Sequence, residues 1–311
     1  MRRLLSAATA ALALCAPALA ADGDSAWRLE LRALDVTTML QQTHGGGKPR
    51  NEVALSRVPV RVVVRAPGRD SVTLESRTDL VGKFVLEGDA PPPGATLEFL
   101  VPGEQGSEAR PGFYGRPWRV DDQAPPAAIE FFEVAESPED LFLANVINVV
   151  TTVDRDETTK VVQFRHTAML QNIGFRVWMG DIERGDPTSF AVHIPEGFEL
   201  RTATVDNRTL PLHTADRHGH GGGAAFLYQE PVFPTGFDGA LVFQVMFAAP
   251  YEDGRTYDAG WHVEYPLLRY MLNLEEGLFT YVPPTYGDAV ALVDGGVNAA
   301  MGNTQKVTHG W

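Results

Sequence analysis

The residues best suited to chemistry lie in one short run, His213-Thr214-Ala215-Asp216-Arg217-His218-Gly219-His220, followed by Gly221-Gly222-Gly223. Neutral imidazole is a ligand for Cu²⁺, Ni²⁺ or Zn²⁺, and glycine lets side chains converge from a short loop. His213, Asp216, His218 and His220 are therefore the candidate metal ligands, with His218 and His220 on the same side of any extended strand. Two features weigh the other way. Arg217 puts a positive charge where the cation would sit, and a Gly-rich connection between strands carries polar residues without holding any ion. The plainer expectation is a polar loop and no cofactor, with a Cu, Ni or Zn site as the alternative.

The remaining candidate sets are incomplete. His44-Gly45-Gly46-Gly47 has the form of an esterase oxyanion loop. That chemistry also needs a Gly-x-Ser-x-Gly elbow, and none occurs around Ser71, Ser76 or Ser107. A turn ahead of the Val58 strand is the better reading. His166 and His193 alternate with core-type residues and read as satisfied, partly buried histidines. Trp261 and His262 near Tyr257, Tyr265 and Tyr270 suggest either a sugar-stacking face or, more plainly, a core-and-edge cluster. Asp154, Asp156 and Glu157 lack the glycine that a Ca²⁺ loop uses, so a solvated tip is expected. Asp181, Glu183 and Asp186 have no spacing that marks a glycosidase pair. No Walker loop, dinucleotide fingerprint or His-Glu-x-x-His is present. The chain is thus expected to be no enzyme; a hydrolase with an unrecognised site in the second half is the remaining catalytic alternative.

What must position these residues is β-structure. Val58, Val60, Val62 and Val64 alternate with Pro59, Arg61 and Arg65. Val72 and Leu74, Phe84 and Leu86, and Leu97, Phe99 and Val101 continue the period of two, each run predicting a strand with one face in a core. Turn signals separate them: Pro67-Gly68-Arg69-Asp70, Gly88-Asp89, Pro91-Pro92-Pro93-Gly94 and Pro102-Gly103. In the second half, Val161–Asn172 places Val162, Phe164, His166, Ala168 and Leu170 on one face. Further strands are predicted at 190–194, 198–205 and 241–247, and Asp154–Glu157 suits a hairpin tip. Trp27–Leu34 reads as strand. Ser137-Pro138-Glu139-Asp140 carries helix-start signals, so a short helix there and a strand from Leu141 both stay open. The expected organisation is all-β: residues 1–20 a signal peptide, 21–135 and 136–284 two β-sandwich domains, and 285–311 a tail with an edge strand.

The amino terminus places the chain outside the cytoplasm. Arg2-Arg3, the apolar run Leu4–Leu14 and Ala18-Leu19-Ala20 follow the order of a secretory signal, and the apolar run is too short to cross a bilayer. Cys15, the single cysteine, falls inside that signal, so disulfides and thiolate chemistry are excluded from the mature chain. The net charge is −14, and loss of Arg2 and Arg3 makes it −16. Such a surface repels nucleic acid and anionic lipid. No later segment is long and apolar enough for a transmembrane helix.

Val58–Val101 resembles the carboxypeptidase regulatory-like domains, which share a transthyretin-like sandwich. The resemblance rests on the Val-rich strand Val58-Pro59-Val60-Arg61-Val62, on Thr78-Asp79-Leu80-Val81-Gly82-Lys83-Phe84 and on Pro93-Gly94. Val81 departs from the polar residue usual at the middle of that turn. The resemblance implies a turn with glycine at positive φ, a core-plugging Phe84, and a non-catalytic domain. The remainder is similar to exported bacterial proteins of unknown role, with an immunoglobulin-like sandwich expected. The combined expectation is a periplasmic or secreted binding or assembly module of the envelope, its partner a protein or a polysaccharide. The alternative is a periplasmic Cu, Ni or Zn protein.

Overall fold

A computed structural model describes residues 27–43, 52–103, 111–120, 124–155, 159–181, 186–194, 197–217, 223–255, 265–275, 279, 291–293 and 296–299. Alternating apolar residues make these segments almost entirely strand. The first unit holds β1 (Trp27–Asp35), α1 (Val36–Gln42), β2 (Pro59–Arg65), β3 (Val72–Arg77), β4 (Lys83–Gly88), β5 (Thr96–Pro102), β6 (Pro111–Arg119) and β7 (Ala128–Glu133). They form one seven-stranded sheet in the order β3-β2-β5-β6-β7-β1-β4, antiparallel except for the β1–β7 pair.

That sheet folds over itself. Phe99 of β5 and Phe84 of β4 are four places apart in strand order, yet their rings meet edge-on with centroids 6.4 Å apart. Phe131 meets Phe99 from the other side at 6.5 Å. The folding brings the two edge strands together, where Ser76 Oγ donates to Val85 O across 2.7 Å. The two layers of the sandwich therefore belong to one continuous sheet. Val60, Val62, Phe84, Leu86, Leu97, Phe99 and Phe131 are buried in the core, as the period of two predicts. Val72 is the exception: it is exposed, because β3 lies at the sheet edge.

The β3–β4 turn is fixed by many bonds. Asp79 Oδ1 accepts from the N–H groups of Val81 and Lys83, both at 2.8 Å. Ser56 Oγ donates to Leu80 O, and Arg32 Nε donates to Val81 O. Gly82 takes φ +79°, and a Cβ there would lie 2.7 Å from Ala33 O. The turn needs glycine both for its dihedral and for the space. Phe84 then enters the core with 2 % of its surface exposed.

The second unit holds β8 (Leu141–Asp154), β9 (Lys160–Asn172), β10 (Phe190–His193), β11 (Glu199–Val205), β12 (Arg208–Thr209), β13 (Thr214–Arg217), β14 (Gly223–Tyr228), α2 (Thr235–Asp238), β15 (Leu241–Pro250), β16 (Tyr270–Leu274), β17 (Ala291–Val293) and β18 (Gly296–Ala299). An eight-stranded sheet, β12-β11-β15-β9-β8-β16-β18-β17, faces a three-stranded sheet, β10-β14-β13. Phe243 of the large sheet meets Phe190 and Tyr228 of the small one at 4.7 and 4.8 Å between centroids. The unit is a sandwich of two separate sheets. The tail supplies β17 and β18 at the edge of the large sheet. Residues 137–140 make a turn, closed by Leu141 N–H donating to Pro138 O, and the strand begins at Leu141. The helix-start signals are overridden by the ladder between β8 and β9. Among the described residues no helix is long and apolar enough to cross a membrane, a statement that says nothing of strands.

One polar chain crosses the core face of the large sheet. His166 on β9 is buried, and its Nδ1 lies 2.7 Å from Asn148 Oδ1 on β8. Asn148 Nδ2 donates to Tyr270 Oη on β16 at 3.0 Å, so its oxygen faces the imidazole and Nδ1 carries the proton. Burial holds the imidazole neutral and lowers its pKa to about 3. A folded-state pKa below the unfolded value of about 6.5 means that the unfolded chain binds the extra proton between those limits. The stability from this histidine is complete above pH 6.5 and is lost as the pH falls below it. Unfolding free energy from urea titration is expected to be about 2 kcal/mol lower at pH 5 than at pH 7 from this group alone. His166→Gln is expected to remove that difference. An equal pH dependence in the variant would show that other groups cause it.

Candidate binding surface at the seam between the two units

The two units are joined by a built contact. Asp35 caps α1, its carboxylate accepting from Thr38 N–H at 2.9 Å and Thr38 Oγ1 at 2.7 Å. The cap presents Thr37 to the second unit. Thr37 Oγ1 accepts from Glu133 N–H at 2.9 Å and donates to Phe175 O at 3.0 Å. Ala135 N–H donates to Val177 O, and Val177 N–H donates to Glu133 O, a parallel bridge between the units. Val36, Tyr114, Phe132, Val134 and Val177 form the apolar cluster of the seam, with Phe233 packed against them.

Strand register decides what else faces this seam. The core takes Phe99, Gly115 and Phe131, which are partners across β5, β6 and β7. Their neighbours in sequence turn outward. Arg61, Leu100, Tyr114 and Phe132 therefore form one row across the outer face, with Val63 and Glu98 in the next row. Phe233 of the second unit covers the end of this row. Its ring lies 6.1 Å from Tyr114 and 5.1 Å from Phe132, and Arg116 sits over it at 5.5 Å. Arg116 also pairs with Glu130 of its own unit and Asp238 of the other. Arg176 pairs with Glu133 across the seam at 3.0 Å.

Each unit also carries a partly exposed ion pair of its own. In the first, Arg65 pairs with Glu98 at 2.9 Å. In the second, Arg208 of β12 grips both oxygens of Glu230, at 2.7 and 2.5 Å, and Tyr228 Oη donates to Glu230 at 3.3 Å. Tyr114 of the covered row is 5 % exposed. Burial pushes the Tyr114 pKa up, Glu98 and Glu230 add to the rise, and Arg65 opposes it. The phenol thus feels charges from both units. Burial also raises the Tyr228 pKa, assisted by Glu230.

His213 is exposed, its carbonyl accepting from Leu227 N–H as it leads into β13. Asp216 stands opposite Ala224 in the β13–β14 ladder, which ends at Arg217 opposite Gly223. His218 and His220 lie outside the described residues, as do His44, Asp156, Glu157, Glu183, Trp261 and His262. His166 is the buried core histidine anticipated from its strand. Tyr265 is buried in the core, donating from its hydroxyl to Ser189 O at 2.9 Å. Asp181 and Asp186 meet through backbone, Asp186 N–H donating to Asp181 O. Sequence reasoning passed over Tyr114, Glu98, Glu230, Arg65 and Arg208. The only local sign was parity: Tyr114 precedes a glycine that must face the core, because a Cβ on Gly115 would sit 2.7 Å from the Phe99 side chain.

No family model matches the chain, and no curated protein matches it. Among solved structures, it is similar to an M1 zinc metallopeptidase from Deinococcus radiodurans, with 11% identity and a TM-score of 0.25, covering 51% of this chain and 38% of that one. It is also similar to the RrgB pilus protein from Streptococcus pneumoniae, with 10% identity and a TM-score of 0.20, covering 80% of this chain and 51% of that one. The chain therefore spans about two fifths to one half of the length of these proteins.

Phe233→Ala removes the ring that Tyr114, Phe132 and Arg116 share. It is expected to cost about 2 kcal/mol and to split calorimetric unfolding into two transitions. One transition at the original temperature would show that the ring does not couple the units. Tyr114→Phe deletes a hydroxyl with no described partner and is expected to leave the melting temperature unchanged.

Proposed function

We propose that this chain is a non-catalytic, exported binding or assembly module of the cell envelope, periplasmic or secreted, which engages its partner beside the seam between the two units. The carrying observation is the seam itself. Two units are locked together by Thr37 and Phe233, and beside the lock lie polar groups contributed by both. Ligand sites favour such junctions between units. Each carboxylate paired across the seam holds an arginine, Asp238 with Arg116 and Glu133 with Arg176, an arrangement suited to fixed recognition rather than to proton transfer. The apparent secretory signal and the regulatory-like motif support the same reading, as does the acidic charge, which turns nucleic acid away.

The test uses the purified mature chain in two assays. In the first, it is sedimented with a washed envelope fraction. The chain is expected to co-sediment, and the double variant Arg208→Ala, Glu230→Ala is expected to lose most of that retention while keeping its melting temperature. In the second, turnover is measured on peptide, ester and glycan substrates, with none expected. Robust hydrolysis would replace this reading with that of a hydrolase.

A second reading is a periplasmic Cu, Ni or Zn protein using His213, Asp216, His218 and His220. What favours it is the ladder end at Arg217 and Gly223, which pins both ends of the connection 218–222 that carries two of the histidines. A metal at a hundred times its dissociation constant should stabilise the fold by roughly 2.7 kcal/mol. Thermal unfolding with each metal, before and after changing the three histidines to alanine, reads this directly. Equal shifts in both forms would remove the reading.

A further inference from the structure

The turn between β3 and β4 belongs to the first unit alone, and its chemistry is independent of the seam. We propose that this turn is a membrane-docking tip: Leu80 and Val81 enter the surface of a bilayer that carries anionic headgroups, and Arg57 and Arg77 hold the phosphates around them.

The apolar part is not required by the fold. Leu80 and Val81 are 66 % and 53 % exposed and adjacent in sequence. The regulatory-like domains that this stretch resembles carry a polar residue at the middle of the turn, where Val81 stands here. The pair is also held firmly. Ser56 Oγ donates to Leu80 O at 2.8 Å, and Arg32 Nε donates to Val81 O at 3.1 Å. Val81 N–H donates to Asp79 Oδ1 at 2.8 Å. With both carbonyls and one amide bonded, the two side chains are presented with little backbone freedom left to lose on binding.

Two arginines are tied to the same turn. Arg57 N–H donates to Asp79 O at 3.1 Å, and Arg77 Nη2 donates to Arg57 O at 3.0 Å. Arg57 takes φ +59°, a conformation that favours glycine or asparagine, so this backbone position gives no reason for an arginine. The carboxylates nearby are engaged: Asp79 by the turn's own N–H groups, Glu52 by Arg32 and Glu30 by Lys83. Arg57 and Arg77 are exposed, and neither has a carboxylate partner among the described residues.

The size and charge of this patch select the occupant. A specific protein interface needs on the order of 1,000 Å² of complementary surface, far more than two adjacent side chains supply. A bilayer interface accepts a small apolar wedge, because the acyl boundary is fluid and closes around it. Guanidinium groups beside the wedge suit phosphate oxygens, which they grip at two points. Screening limits the reach of a charge to about 8 Å at physiological ionic strength. The charges at the turn, rather than the net charge of −14, therefore set the potential that headgroups meet on contact. The repulsion of anionic lipid expected from composition holds for the chain as a whole and not for this turn.

The experiment sediments the full mature chain with protein-free vesicles of phosphatidylcholine alone, or of phosphatidylcholine with roughly one third phosphatidylglycerol. The chain is expected to bind the anionic vesicles about tenfold more tightly than the neutral ones, and to lose most of that preference at high salt. Leu80→Ser with Val81→Ser should weaken binding roughly tenfold or more. Arg57→Gln with Arg77→Gln should weaken it by about the same factor, whereas lysine at both positions keeps most of it. All variants should keep the parent's melting temperature, because the changed side chains are exposed. Leu80→Trp reads insertion directly: its emission should shift to the blue when anionic vesicles are added. Leu268→Trp, at an exposed site of the second unit, should show no such shift. The proposal is overturned if anionic vesicles bind no chain, if neutral vesicles bind it equally well, or if the serine variant binds as the parent does. It is also overturned if vesicles bind nothing while the serine variant loses retention on the washed envelope, which would make the partner of the turn a protein. The Arg208, Glu230 double variant should bind vesicles as the parent does, so the seam reading stands or falls separately.

Discussion

The Thr37 hydroxyl bonds to the backbone at Glu133 and at Phe175, and through it the first sheet is fixed to the second unit. A threonine hydroxyl has one hydrogen to give and lone pairs to receive, and both capacities are used here in a buried site. Its position depends on the Asp35 cap, which starts α1 at the residue where β1 ends. The parallel bridge at Val134 and Val177 extends the attachment into backbone pairing. Once this corner is fixed, Phe233 lies on the outer face of the first sheet, against Tyr114, Phe132 and Arg116.

The outer face of a half-buried sheet is ordinarily polar and solvated. Here it is divided between two roles. The end near β7 carries Tyr114 and Phe132 and is covered by Phe233, whereas the β2–β5 end keeps its ion pairs. The boundary between covered and open surface runs past Tyr114, which is packed as a core aromatic. The second unit has its own internal polar chain, His166–Asn148–Tyr270. That chain ties β9, β8 and β16 together on the core side, where an unpaired polar group would be costly. Its role is to fix the order of three neighbouring strands.

Much of the strand pattern was legible. On β9 the alternate residues Val162, Phe164, His166, Ala168 and Leu170 are all buried, because an extended backbone sends every second side chain to the same face. The Asp79–Gly82 turn was equally readable, since the aspartate and the glycine each have a local physical task. Where local signals were overridden, the cause is pairing or position. Ser137–Asp140 has helix-start residues but lies next to a long hairpin that draws Leu141 into strand. Val72 alternates correctly and is still exposed, because alternation cannot tell an edge strand from a central one. Val36-Thr37-Thr38 is rich in β-branched residues, and the short helix there is set by its cap and its packing rather than by propensity.

The fold class and the strand identities were written in the local order of residues, because the period of two acts between near neighbours and needs no knowledge of the rest of the chain. The same holds for the charge, the single cysteine and the turn chemistry. The seam has no such local record. Arg116 meets Asp238 across 122 positions, and Tyr114 meets Phe233 across a similar span. Nothing near either residue in sequence marks the other, so the meeting is decided by which sheet face the second unit covers. That choice is made by packing and by two bonds to one threonine, which are properties of the assembled chain.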